Sequence, residues 1–293
     1  MRDIKGFCKL FDISIPKYDC FDYYITQLSK LNRYKNIREQ IRLYEEAESK
    51  HEDLYEYRMR VSNEIINFIS ETEAYNEFML DNFIKDYAVD KTLFFEDDKF
   101  YLSIDMNSAN FQALKRYDAP FRNELCSSYN ELLDKFSMPE VFKHSKSLRQ
   151  FIFGNLNPKK QVKVQRMIIQ ELIDSIAHLL TSSMFIKYTR NDELIIEFDF
   201  FGELRSLIDL LDKEKFKYKI FTTKRHGDFR IDSLYDLDGN VLYKDMIGVD
   251  GTQYYQHIKQ FVTNEPLDIK DLYFKHKDKL CVWVEEGVNV NLK

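Results

Sequence analysis

Residues 184–197 read MFIKYTRNDELIIE, a hairpin that the rest of the chain must pack around. Met184, Phe185 and Ile186 load one apolar strand, and Leu194, Ile195 and Ile196 load a second. Thr189, Arg190 and Asn191 form the polar turn, with Asp192 and Glu193 where the turn meets the second strand. Two adjacent carboxylates at the tip of an apolar hairpin repel one another unless a cation relieves them. A hard divalent ion takes carboxylate oxygens and is the natural relief. A solvated polar turn carries the same residues, so the hairpin alone leaves both readings open.

Upstream, the period becomes two between Thr92 and Asp105. TLFFE, a polar EDDK turn and FYLSID predict a second hairpin, with Leu102 and Ile104 on one face and Ser103 and Asp105 on the other. Asn107 and Ser108 are good N-cap residues, and ANFQALKRY predicts a helix directly after the strand. Asp105 therefore stands at a strand-to-helix junction, where an ordinary capping Asp is the alternative.

Between the two carboxylate sites lies a cationic stretch. Lys143, Lys146, Arg149, Lys159, Lys160, Lys163 and Arg166 occur with no Asp or Glu among them. In a chain of net charge −6 this segment is expected to face an anion, unless it only balances the acidic remainder. Pro139 precedes a predicted helix, Glu140 to Phe153, with Lys146, Arg149 and Phe153 on one face. Gly154, Asn155 and Pro158 end it, and Lys159 opens a longer helix that turns apolar through Ile168, Leu172 and Ile176.

Residues 1–90 are expected to be mostly helical, as a thumb-like arm or a cap. Charge pairs such as Glu46 with Lys50 and Glu56 with Arg60 suit a solvated helix face. Beyond the first hairpin, a helix over Gly202–Glu214, a strand over Lys217–Thr222 and a basic turn at Lys224–Gly227 are expected. The last sixty residues carry Asp238-Gly239 and Asp250-Gly251 turns, a helix near Tyr254–Val262 and a strand over Leu280–Glu285.

Composition bounds the function. The chain has 293 residues, 44% hydrophobic and 31% charged, which describes a folded globular protein. A pI near 5.7 excludes a globally basic nucleic-acid binder but not a local basic stripe. Cys8, Cys20, Cys126 and Cys281 are scattered without a CxxC, so neither a zinc site nor a disulfide framework is indicated. No apolar run is long enough to span a bilayer, and a reducing cytoplasmic setting without a membrane partner is expected.

Three segments, in order, resemble the palm and fingers of the family A polymerases, the group of bacterial DNA polymerase I and the single-subunit phage RNA polymerases. Asp105 in SIDMNSANFQAL is similar to the palm aspartate that opens a strand-to-helix segment. The cationic helix ending in Phe153-Gly154 resembles the fingers helix, with Phe in place of Tyr and Lys146 one residue closer than the pattern. Asn191-Asp192-Glu193-Leu194 through Glu197 resembles the second metal-binding hairpin, with Asn191 in place of His. The resemblance covers about residues 92–225, and the short interval between the two aspartates implies reduced fingers.

The resemblance implies an α+β fold: a helical N-terminal region (1–90), a palm-like antiparallel sheet with helices on one face (91–232, reduced fingers near 140–166) and a small mixed C-terminal segment (233–293). It implies nucleotidyl transfer to a nucleic-acid 3′ end with two Mg²⁺ or Mn²⁺ ions. Asp105 and Asp192 would be the metal ligands and Glu193 a further catalytic participant. Lys146, Arg149 and Phe153 would serve the nucleoside triphosphate, and Lys159, Lys160, Lys163 and Arg166 the nucleic acid. The alternative is a palm-derived module that binds nucleic acid or a replication protein without catalysis.

Overall fold

In the computed structural model, which describes residues 3–13, 21–90, 92–249, 254–276 and 279–282, the 184–197 hairpin forms the outer pair of an antiparallel sheet. Its strands are β1 (Phe100–Met106), β2 (Met184–Thr189), β3 (Glu193–Phe198), β4 (Phe216–His226), β5 (Phe229–Tyr235) and β6 (Val241–Ile247). Their order is β2-β3-β1-β4-β5-β6. The helices between β1 and β2, with α11 (Leu204–Leu210) between β3 and β4, make the first four strands a split β-α-β-β-α-β unit. β5 and β6 extend this sheet by two antiparallel hairpin strands. The fold is thus α+β with an N-terminal helical region, as expected. The boundary expected after residue 232 falls inside β5, because the hairpin pairing of β5 on β4 continues to Tyr235.

Alternation sorts the two sheet faces. Leu102, Ile104, Leu194, Ile196 and Ile220 point to the helices and join one large core with Phe111, Ile168, Ile169 and Leu172. α6 (Ala109–Lys115) and α10 (Pro158–Ile176) pack together in that layer. Tyr101, Ile195, Phe221 and Leu234 point the other way and form a second, smaller cluster with Phe95 and Tyr188.

That second cluster corrects the hairpin expected before β1. Residues 92–96 form no strand; they cross the open face of the sheet. The Tyr188 hydroxyl bonds the Phe94 carbonyl and accepts from the Phe94 N–H, and the Glu96 N–H donates to the Tyr101 hydroxyl at 2.9 Å. The Asp98 N–H reaches the Thr223 carbonyl at 3.1 Å. Phe95 is 2% exposed, so the apolar residues that mimic a strand bury themselves as a cover instead. The cover leaves the Asp105 end of the same face open to solvent, while Ser103 is buried.

The N-terminal helices are α1 (Ile4–Phe11), α2 (Phe21–Leu28), α3 (Ile37–Lys50), α4 (Leu54–Glu71) and α5 (Glu73–Leu80). Asp53 and Thr72 side chains accept from the Glu56 and Tyr75 N–H groups and start α4 and α5. Glu46 pairs with Lys50 at 2.6 Å as the spacing suggests, whereas Arg60 pairs forward with Glu64 rather than back to Glu56.

The helix expected over Glu140–Phe153 is two helices, α8 (Glu140–Lys143) and α9 (Lys146–Gly154), following α7 (Tyr129–Lys135). Ser145 adopts an extended conformation and its hydroxyl accepts from the Leu148 N–H, capping α9 and breaking the run. Asn157, at φ 56°, caps α10 with Pro158 in its first turn. At the C-terminal end, α12 (Tyr254–His257) runs into a π-helical turn over Ile258–Thr263, and β7 (Tyr273–His276) pairs with β8 (Lys279–Val282). The Asp250-Gly251 turn and the end of the strand expected to Glu285 lie outside the described residues. No helix among the described residues is long and apolar enough to cross a membrane.

Candidate carboxylate site

β1 lies between β3 and β4, so its C-terminal residue Asp105 has a neighbour on each side. Asp105 is in register with Glu193 on β3 and with Lys217 on β4. One step further, the Met106 N–H donates to the Asp192 carbonyl at 2.9 Å. Asp192, in the turn that leads into β3, therefore lies beside the end of β1 that carries Asp105, where strand spacing is about 5 Å.

Electrostatics register this closeness. Burial pushes the Asp192 carboxyl above the usual carboxylate range, and the charges of Asp105 and then Glu193 push it further. Its backbone N–H and Arg190 oppose the shift without cancelling it. The neighbours are held differently. The Ser103 hydroxyl donates to Glu193 at 2.6 Å, and the Lys217 ammonium lies 2.8 Å from Asp105 Oδ2. Asp105 remains 34% exposed and Lys217 59% exposed, so this pair opens to solvent.

The donor set suits Mg²⁺ or Mn²⁺. Both are hard ions, and Mg²⁺ is commonly held by one or two carboxylates with water and substrate phosphate completing its shell. Asp105 and Asp192 would supply that pair; burial is the larger cause of the raised Asp192 carboxyl, and the lesser one, repulsion from Asp105 and Glu193, is what a cation would relieve. Among the described residues no three His, Cys, Asp or Glu side chains form a ready-made cage. Glu193, engaged by Ser103, is the less available of the three carboxylates.

The cationic stretch divides into distinct environments. Arg166 on α10 turns inward: its Nε donates to Asn191 Oδ1 at 2.9 Å and its NH1 to Asp86 Oδ1 at 2.8 Å. These bonds engage two of its five guanidinium donors and leave its side chain 24% exposed. Lys160 is also committed, with its ammonium 2.9 Å from the Met79 carbonyl and over the Phe78 ring. Lys159 is exposed, and Lys163 is exposed with Asp86 3.8 Å away.

On α9, Lys146 is exposed and Arg149 is half-buried with its guanidinium near the Tyr129 ring. Phe153 is fully buried and edge-on to Phe111. Its assignment as a base-stacking residue is therefore corrected: the ring is enclosed in the core beside Phe111 and Tyr129, with no surface left for a base. The helical spacing puts Lys146, Arg149 and Phe153 on neighbouring turns, but core packing turns the last of them inward.

Sequence reading missed Lys217, Ser103 and Asp86. Lys217 and Lys219 alternate along β4 with Phe216, Tyr218 and Ile220, a pattern that marks one polar face. What sequence could not provide was the pairing of β4 to β1, which puts Lys217 on Asp105. Asp86 lies in a segment without regular structure, far from α10 in the chain. No protein-family model matches the chain, and no curated protein is similar to it.

Proposed function

We propose that the chain is a metal-dependent nucleotidyltransferase of polymerase-like character, extending a nucleic-acid 3′ end from a nucleoside triphosphate in a cytoplasmic setting. One observation carries this reading. Asp105 at the end of β1 and Asp192 in the turn before β3 lie side by side at one end of a split β-α-β-β-α-β sheet, with the Asp192 carboxyl raised by burial and by its neighbours. Mg²⁺ or Mn²⁺ bound there would neutralise the triphosphate and activate the attacking hydroxyl, the chemistry that metal pairs supply in phosphoryl transfer. Asp105 and Asp192 would hold the ions. The Ser103–Glu193 bond orients the neighbouring carboxylate. Lys217 would leave Asp105 as metal arrives and offer its charge to a phosphate. Exposed Lys146 on α9 is the remaining candidate for the triphosphate tail.

The test is incorporation of labelled nucleotides with Mg²⁺ or Mn²⁺ on several primers and templates, of both DNA and RNA. Incorporation that is lost in Asp192→Asn supports the reading. Undiminished incorporation in that variant overturns it.

A second reading, a palm-derived binding module without catalysis, is favoured by two observations. An ammonium stands 2.8 Å from Asp105, and Phe153 is buried away from any base. Titration with Mn²⁺ separates the two readings. A catalyst binds the ion through Asp105 and Asp192; a module of this kind has no need to.

A further inference from the structure

The open face of the sheet continues past the carboxylates. Lys219 is in register with Ser103 of β1, and Tyr243 of β6 is opposite Leu234 of β5, which in turn is opposite Phe221. By alternation, Ser103, Asp105, Lys217, Lys219 and Tyr243 share one face. A cleft of about 570 Å³ opens here, lined in part by Asn32, Lys35, Lys219, Leu234 and Tyr243.

Its charged lining is two lysines, Lys35 and Lys219, and two aspartates, Asp236 and Asp238, beside the Tyr243 ring. Tyr243 is 41% exposed, and the Lys35 ammonium lies 4.9 Å from its ring centroid. Neither Lys35 nor Lys219 has a carboxylate within ion-pair distance among the described residues; Lys219 leans over the Phe221 ring instead. The nearby acids are already engaged. Asp236 accepts from the Asp238 and Asn240 N–H groups, and Asp238 pairs with Arg205 at 2.7 Å. Asp245 accepts from the Arg33 N–H at 2.8 Å, and burial raises its carboxyl. Lys219 offsets part of the Asp245 charge, but neither lysine is in ion-pair contact, so with the aspartates engaged the two ammonium groups beside an exposed tyrosine offer an anion site with a flat apolar partner.

We propose that this cleft binds a single-stranded segment of nucleic acid, with phosphates on Lys35 and Lys219 and a base against Tyr243. Aromatic rings on an open sheet face stack bases without regard to sequence, and lysines track the backbone. The cleft runs from Lys219 on β4, the strand beside Asp105's, out to Tyr243 on β6, so it leads a nucleic-acid strand away from the reacting end. The assignment rests on the proposed nucleotidyl-transfer reading, but its test does not need catalysis.

The experiment measures binding of fluorescein-labelled single-stranded DNA and RNA oligonucleotides to the full chain without metal, at two salt concentrations. Three variants are compared: Lys35→Ala with Lys219→Ala, Tyr243→Ala, and Tyr243→Phe. Thermal unfolding of each checks the fold. The double lysine variant should bind more weakly and flatten the salt slope by roughly 1.4, the value for two lost contacts on a single strand. Tyr243→Ala should weaken binding roughly 5- to 100-fold with the slope unchanged, and Tyr243→Phe should retain affinity. Unaltered affinity in folded Lys35/Lys219 and Tyr243→Ala variants overturns the proposal, as does a wild-type chain that binds neither oligonucleotide. A mononucleotide that competes as well as the oligonucleotide also overturns it, assigning the cleft to a free nucleotide. Mn²⁺ titration of wild type and Asp105→Asn on the same preparations reports the carboxylate site separately. Loss of the cleft assignment alone leaves that titration intact.

Discussion

Asp192 carries the most testable chemistry of any single residue. Its carboxyl is raised above the unfolded value, chiefly by burial and next by Asp105 and Glu193. The folded chain therefore holds its proton to higher pH than the unfolded chain does. Above the raised value the ionised group costs stability, and the cost is relieved as pH falls through that value. Asp192→Asn should then raise the Tm at pH 7 by about 1–2 °C, the scale of a ~0.5 kcal/mol change in a chain of this size. The gain should shrink towards pH 4. A Tm series against pH for both proteins checks the sign. Mg²⁺ or Mn²⁺ should raise the wild-type Tm and leave that of Asp192→Asn nearly unchanged, because binding to the folded state alone stabilises it.

Helix α10 ties the two carboxylate-bearing turns together. Gln165 donates to Asn110 at 2.6 Å, just beyond Asp105, and Arg166 donates to Asn191, just before Asp192. Arg166 also binds Asp86, so Arg166→Ala strands two acceptors. It should cost about 1–3 kcal/mol in urea denaturation, the scale of a lost charged hydrogen bond. It should also weaken Mn²⁺ binding, as the hairpin tip loses its anchor. Lys163→Ala, with its exposed and loose pairing to Asp86, should change stability by less than about 0.5 kcal/mol. α8 and α9 form a helix pair broken by the Ser145 cap, and one substitution measures that cap. Ser145→Ala should cost about 1 kcal/mol, since the Leu148 N–H it serves is buried.

At the scale of the molecule, a buried charge pair inside the C-terminal segment meets the N-terminal helices through Tyr23. The Lys259 ammonium lies 2.9 Å from Asp271, with side chains 8% and 0% exposed, and the Tyr23 hydroxyl donates to the same carboxylate at 2.6 Å. Removing one charge of such a pair leaves the other buried and uncompensated. Asp271→Ala should cost about 3–5 kcal/mol on this ground, and urea denaturation measures it.

The α+β class, the hairpin at 184–197, the strand ending at Asp105 and the long helix after Pro158 were all legible in the chain. Each rests on local signals: period-two alternation, an N-cap, or a proline in the first helical turn. The meeting of Asp105 with Asp192 was legible as a possibility, because strand-end and hairpin-tip positions are where carboxylates can converge. Long-range pairing decided the rest. Residues 92–96 carry a strand's composition but cover a sheet face, since Tyr101, Ile195 and Phe221 need burial more than Leu93–Glu96 need a partner strand. Helical spacing set Phe153 beside Lys146 and Arg149, yet only packing against Phe111 and Tyr129 decided that its ring belongs to the core. Arg166 and Lys217 each met a carboxylate from a distant part of the chain, Asp86 and Asp105. Side-chain periodicity says which face a residue takes; only strand order and helix packing say what stands opposite it.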